Sequence, residues 1–181
     1  MPRTPAALVV ALALLSACRG PAAPPPPVAV DNAALGLRFT GLPAGVQVTA
    51  NEGERLTFSA TLGSVTGEIA VHRANPAEGG VNLVAEARRY GAAAADAEGG
   101  KFFGANELVT PWGPAYKVRA LVDRGSVEEQ QILLLHPGDP QQLLALVLRY
   151  PPGTPEVARD RLAQFLDLLA ALEPLPEPSG G

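Results

Sequence analysis

The feature that most restricts the fold of this chain is a two-residue period of apolar side chains, repeated in short runs between Leu35 and Tyr150. A period of two puts alternate residues on one face of an extended strand, so each run buries one face and wets the other. "LGLRFTGLP" groups Leu35, Leu37 and Phe39; "RLTFSATL" groups Leu56, Phe58 and Ala60; "VTGEIAVHRA" groups Val65, Gly67, Ile69 and Val71. Turn signals in "NEGE" and "LGS" separate the second and third runs from what precedes them, and three short antiparallel strands are the economical reading. Further on, "FFGANELVT" leads through "PWGPA" into "YKVRALVD", which turns Tyr116, Val118, Ala120 and Val122 inward. "VEEQQILLLHP" and "QQLLALVLRYP" then form a pair joined by "PGDP". Both are apolar on two faces at their ends, as centrally placed, covered strands are.

Two segments break this period. From Val81, "VNLVAEARRYGAAAADAEGG" can set Leu83, Val84, Ala87 and Tyr90 on one side of a helix. The alanines at 92–95 favour that choice. Asn75, Pro76 and Glu78 resemble a helix-start box, and Gly99 and Gly100 mark the end. Near the C-terminus, Thr154, Pro155 and Glu156 open a second helix. Ala158, Leu162, Phe165, Leu166, Leu169 and Leu172 recur on one of its faces, Arg159, Asp160, Gln164 and Asp167 line the other, and Pro174 stops it. Such a helix covers a sheet. These elements predict one α+β domain at 31–173, followed by a proline-rich tail at 174–181.

The N-terminus has a different character. After Arg3, the run "AALVVALALL" has the length of a signal-peptide core and falls short of the roughly 20 apolar residues that span a bilayer. The run closes on "LSAC", which resembles the lipobox of bacterial lipoproteins. That resemblance implies a leader at 1–17, recognition through Leu15, Ser16 and Ala17, and a diacylglyceryl group on the sulfur of Cys18. Apart from this covalent lipid no cofactor is expected. Cys18 is the sole cysteine, so no disulfide can form within the chain. A linker at 18–30 follows, with prolines at 21, 24, 25, 26 and 27. In polyproline II geometry its residues from Arg19 reach about 35 Å. Arg19 is not the aspartate that retains lipoproteins at an inner membrane, which directs the expectation to an outer membrane facing the periplasm.

The chain's 14 basic and 18 acidic residues give a formal charge of -4, a poor match to nucleic acid, which needs clustered Lys and Arg. His72 and His136 are the only histidines, and no HxH, HExxH or CxxC spacing appears. No metal site is expected, and both histidines read as surface or strand-end residues. "GSVTG" is not a nucleophile elbow, and "GGKFFG" lacks phosphate-loop spacing. Adjacent Glu128 and Glu129 point to opposite faces of a strand, which separates them as an acid/base pair. The expectation is a non-catalytic module that binds an envelope protein through the loop around Trp112 and a sheet face carrying Lys117, Arg119 and Arg149. Trp112 also has the simpler reading of packing on its own domain. The alternative function is to carry or sense a lipid or other apolar ligand between sheet and helices.

The order of these elements, from "LGLRFTGLPAGV" as an opening hairpin, through "NPAEGG" and a helix, to "VTPWGPAYKVRALV", two long strands and "RDRLAQFLDLLAAL", resembles the PsbP-like fold. The resemblance spans roughly 34–172 and includes bacterial lipoproteins of the DcrB type. It implies an antiparallel sheet backed by two helices, in a family whose members mostly serve as binding or assembly modules. A fold does not by itself carry a function.

Overall fold

The structure, a computed structural model, describes residues 29–76, 80–169 and 173–175. Leu15, Ser16, Ala17 and Cys18, expected to form a lipobox and lipid anchor, lie outside them. Seven antiparallel strands form one sheet in the order β3-β4-β5-β9-β8-β7-β6. They are β3 (Val46–Glu52), β4 (Arg55–Leu62), β5 (Val65–Ala74), β6 (Lys101–Thr110), β7 (Gly113–Val122), β8 (Val127–His136) and β9 (Asp139–Tyr150). A small second sheet holds β1 (Ala29–Asn32), β2 (Leu37–Thr40) and β10 (Glu173–Pro174), with β2 in the middle. Helices α1 (Leu83–Asp96) and α2 (Glu156–Leu169) complete the domain.

The period-two runs become strands because each has a covered face. Leu56, Phe58, Ala60, Ile69, Val71, Leu144, Leu146 and Leu148 are fully buried on one side of the large sheet. Leu162, Leu166 and Leu169 of α2, with Leu35, Leu37 and Phe39 of the β1–β2 hairpin, close over them. On the opposite side α1 brings Ala87 against Val118, Leu133, Leu143 and Ala145. The two helices therefore back the sheet from opposite faces. As expected, β8 and β9 are interior strands of the sheet.

Several local expectations are corrected. The opening hairpin is Ala29–Asn32 with Leu37–Thr40, so only its second strand lies in the "LGLRFTGLPAGV" expected to form it, and strand pairing already begins at Ala29, within the segment read as linker. The strand β3 went unread because it lies at the sheet edge and buries only Val46. Asn82, not Asn75, caps α1, its Oδ1 accepting from the Ala85 amide at 3.0 Å. Val84 is exposed, and Gly91 takes the sheet-facing position instead. A Cβ on Gly91 would stand 2.9 Å from the Phe102 ring, which explains a glycine inside a helix. Pro174 does not merely stop α2: it lies in β10, paired with Leu37.

Candidate functional site

The first half of β8 puts four polar residues, Glu128, Glu129, Gln130 and Gln131, into the middle of the sheet, and all four are buried. Burying charge and amide groups is costly unless each finds a partner. Strand alternation divides them into two networks that lie back to back.

On the α2 face, Arg119 pairs with Glu128, its Nε donating to Oε1 at 2.6 Å. The Tyr150 hydroxyl donates to the same oxygen at 2.9 Å and accepts from Gln130 Nε2 at 2.8 Å. Burial first, together with Glu128, pushes the Tyr150 phenol up to about 12 against the opposing effect of the Gln130 bond. On the α1 face, Glu129 accepts from the Tyr90 hydroxyl of α1 and from Arg149 Nε at 2.7 Å. Burial, then the bond to Glu129, raises the Tyr90 phenol far above its usual range. The first of these networks joins β7, β8 and β9; the second ties α1 to the sheet. The adjacent glutamates point to opposite faces, as their spacing predicts, and each is buried and held by partners on its own face.

Near Glu129 lies His72, corrected here from a surface residue to a half-buried one. Its Nδ1 and the Gln131 Oε1 are buried without hydrogen-bond partners among the described residues. Burial first, then Arg55, holds the His72 imidazole below its ordinary value. The two histidines and Arg55, Glu68, Tyr90, Glu129, Gln131 and Arg149 can be sorted by position: all but His136 line one hollow of about 280 Å³. His136 is buried at the far end of β8. Its Nδ1 accepts from the Gly138 amide at 3.0 Å, which leaves Nε2 to donate to the Leu35 carbonyl at 2.6 Å.

A larger hollow of about 530 Å³ shares Glu68 and Arg149 with the first and extends over Ser59, Thr66, Val127 and Tyr150. At the neighbouring turn, Asp123 and Arg124 adopt φ of 51° and 58°, a left-handed conformation that non-glycine residues take at a cost. This turn brings the Asp123 carboxylate to 3.8 Å from Arg149.

The expected partner surface is not one surface. Lys117 and Arg119 sit together on the α2 face, where Lys117 Nζ meets Asp167 at 2.8 Å and Arg119 lies 4.8 Å from the centre of the Phe103 ring. They line a third hollow of about 330 Å³ with Arg159 and Asp160. Arg149 points to the opposite face, because Glu129, its ion-pair partner, belongs to the α1 side. Trp112 is partly buried and packs against the core, the simpler of its two readings. No group of three or more His, Cys, Asp or Glu side chains able to hold a metal occurs among the described residues.

No protein-family model matches the sequence, and no curated protein matches it. Solved structures do match. Cyanobacterial PsbP from Synechocystis is 11% identical with a TM-score of 0.52, covering 85% of this chain and 95% of that one. The Ran-binding protein Mog1p of Saccharomyces cerevisiae is 8% identical with a TM-score of 0.55, covering 82% and 95%. A Pseudomonas aeruginosa protein of unknown function is 13% identical with a TM-score of 0.50, covering 75% and 100%. At such identities the likeness is one of fold, and the domain described here is PsbP-like.

Proposed function

We propose that this chain is a lipid-anchored protein of a bacterial cell envelope, held at Cys18 on an outer membrane, whose domain binds a protein partner without catalysing a reaction. The observation that carries the binding role is the uneven cover of the large sheet. Helix α1 packs on β6, β7 and β8, while α2 packs on β4, β5 and β9 from the other side. The α1 face of β4 and β5 thus presents Arg55, Ser59, Thr61, Thr66 and Glu68 beside the Tyr90–Glu129–Arg149 network. A preformed polar face on rigid strands suits protein recognition, where the polar contacts set specificity. Mog1p, which shares the fold, is a Ran-binding protein. The lipobox "LSAC" supports the anchor.

The test is photo-crosslinking in native envelopes with the reactive group at Ser59 or Thr66, and at Gln164 of α2 as a control. A discrete protein adduct at the first two positions and none at Gln164 is expected. Adducts of equal yield at all three would overturn the reading. The apolar-ligand reading draws on the Phe58, Val127 and Pro151 walls of the 530 Å³ hollow. Mass spectrometry of lipids co-purifying with the protein tests it directly.

A further inference from the structure

We propose that the hollow between Arg55, His72 and Arg149 receives a carboxylate side chain from an acidic segment of the partner protein, an inference that rests on the binding role above and names the partner's chemistry. Among the described residues, only Nε of the Arg149 guanidinium is hydrogen-bonded, to Glu129; its Nη1 is 3.8 Å from Asp123, beyond hydrogen-bond reach. Arg55 stands 3.8 Å from Glu68, and its guanidinium makes no hydrogen bond among the described residues. Two planar guanidinium groups with free N–H donors therefore line one hollow, and that donor geometry matches a carboxylate.

The local field agrees. Once burial is set aside, Arg55 and Arg149 both act to keep His72 uncharged, and Glu129 alone opposes them. Glu68 is the in-chain competitor: its side chain is 58% exposed, it faces Arg149 in the β5–β9 ladder, and it sits near Arg55 without bonding it. An incoming carboxylate can displace a group held so loosely. The hollow measures about 280 Å³, at the lower limit for cavities that enclose whole ligands and sufficient for one side chain.

The experiment uses the full chain in detergent micelles and two labelled octapeptides, one alternating Glu and Thr, the other Gln and Thr, followed by fluorescence anisotropy. The Glu peptide should bind about tenfold more tightly at low salt, as expected for two modest ion pairs, and lose that advantage at high salt. Arg55→Gln should weaken it about three- to fivefold, and Glu68→Gln should strengthen it by a similar factor. Both positions are exposed, so neither change threatens the fold, and a merely structural role for Glu68 would not produce tighter binding. Equal binding of the two peptides, or no gain from Glu68→Gln, would overturn the proposal. Competition by free glutarate at the concentration of the peptide itself would also overturn it, by showing a site for small acids. A captured partner whose crosslinked segment lacks Asp and Glu would remove this inference and leave the binding role standing, whereas indiscriminate crosslinking would remove the binding role whatever the peptides do.

Discussion

Leu166 lies on α2 with no exposed surface, in the cluster that includes Leu162 and Leu169 and the strands β4, β5 and β9. Replacing it with Ala removes most of its side chain from a site closed to solvent and packed in the core cluster. Substitutions of this kind cost about 2–5 kcal/mol, a large share of the roughly 5–15 kcal/mol that holds a domain folded. For a chain of this length each kcal/mol lowers Tm by about 2–4 °C, so a loss near 3 kcal/mol corresponds to a fall of about 6–12 °C. Leu166→Asp adds the cost of burying a carboxylate among apolar groups and should abolish cooperative unfolding altogether. Gln164, two residues away, is exposed, so Gln164→Asp should stay within about 0.5 kcal/mol of the parent. Thermal unfolding followed by circular dichroism measures all three. Equal shifts for Leu166→Ala and Gln164→Asp would mean that α2 does not bury the face assigned to it.

Three further outcomes are expected. A Cβ at position 100 would lie 2.0 Å from the Ala94 carbonyl oxygen, so Gly100→Ala should cost about 2 kcal/mol or more, seen as a lower denaturation midpoint. Burial keeps His72 from taking a proton as readily in the folded chain as at its ordinary 6.5; the unfolded chain therefore binds more protons below that pH, and stability should fall as pH drops from about 6.5, with a slope that His72→Gln removes in chemical denaturation series. Cys18→Ser should move the protein from the detergent phase to water or leave it unprocessed, with an unchanged unfolding transition, since acyl chains supply the membrane affinity; an unmodified thiol at Cys18 in a water-soluble wild-type protein, seen by intact mass, would refute the anchor.

Much of the fold could be read from the chain because packing repeats at short range. Leu56, Phe58 and Ala60 alternate into the core, and Leu162, Leu166 and Leu169 recur at helical spacing; both patterns come from burial of a single face. The edge strand β3 carried no such mark, since an edge strand with one buried residue differs little from a loop. The start of α1 was displaced because two asparagines precede it and only the tertiary position of α1 selects Asn82. The site was the least legible part. Glu128 and Glu129 read only as two carboxylates on opposite faces because their partners are distant in sequence, Arg119 by 9 residues, Arg149 by 20, Tyr150 by 22 and Tyr90 by 39. One signal was present: "EEQQ" runs directly into "ILLL" within a strand that the pattern already placed centrally. Four consecutive polar residues in such a strand require buried partners, and that requirement marks a site.

The small sheet gives the domain a mechanical property. The described chain enters at Ala29 and ends at Leu175, whose amide donates to the Gly36 carbonyl at 2.9 Å, so both ends are fastened to the β2 hairpin. A load on Ala29 first opens the pair Ala29↔Thr40 and proceeds one pair at a time toward Asn32. There it meets a clamp, for Asn32 is buried, its Oδ1 holds the Leu35 amide at 2.7 Å and its Nδ2 reaches Asn51 at 2.8 Å. Peeling Ala29 to Asp31 lengthens the strand's lead by about 10 Å, breaks the Arg38–Asp31 ion pair and the bond from Asn51 of β3 to the Asp31 carbonyl, and leaves β2 paired with β10. Val30 packs against the core, so a load on Ala29 is felt there as soon as the second pair opens.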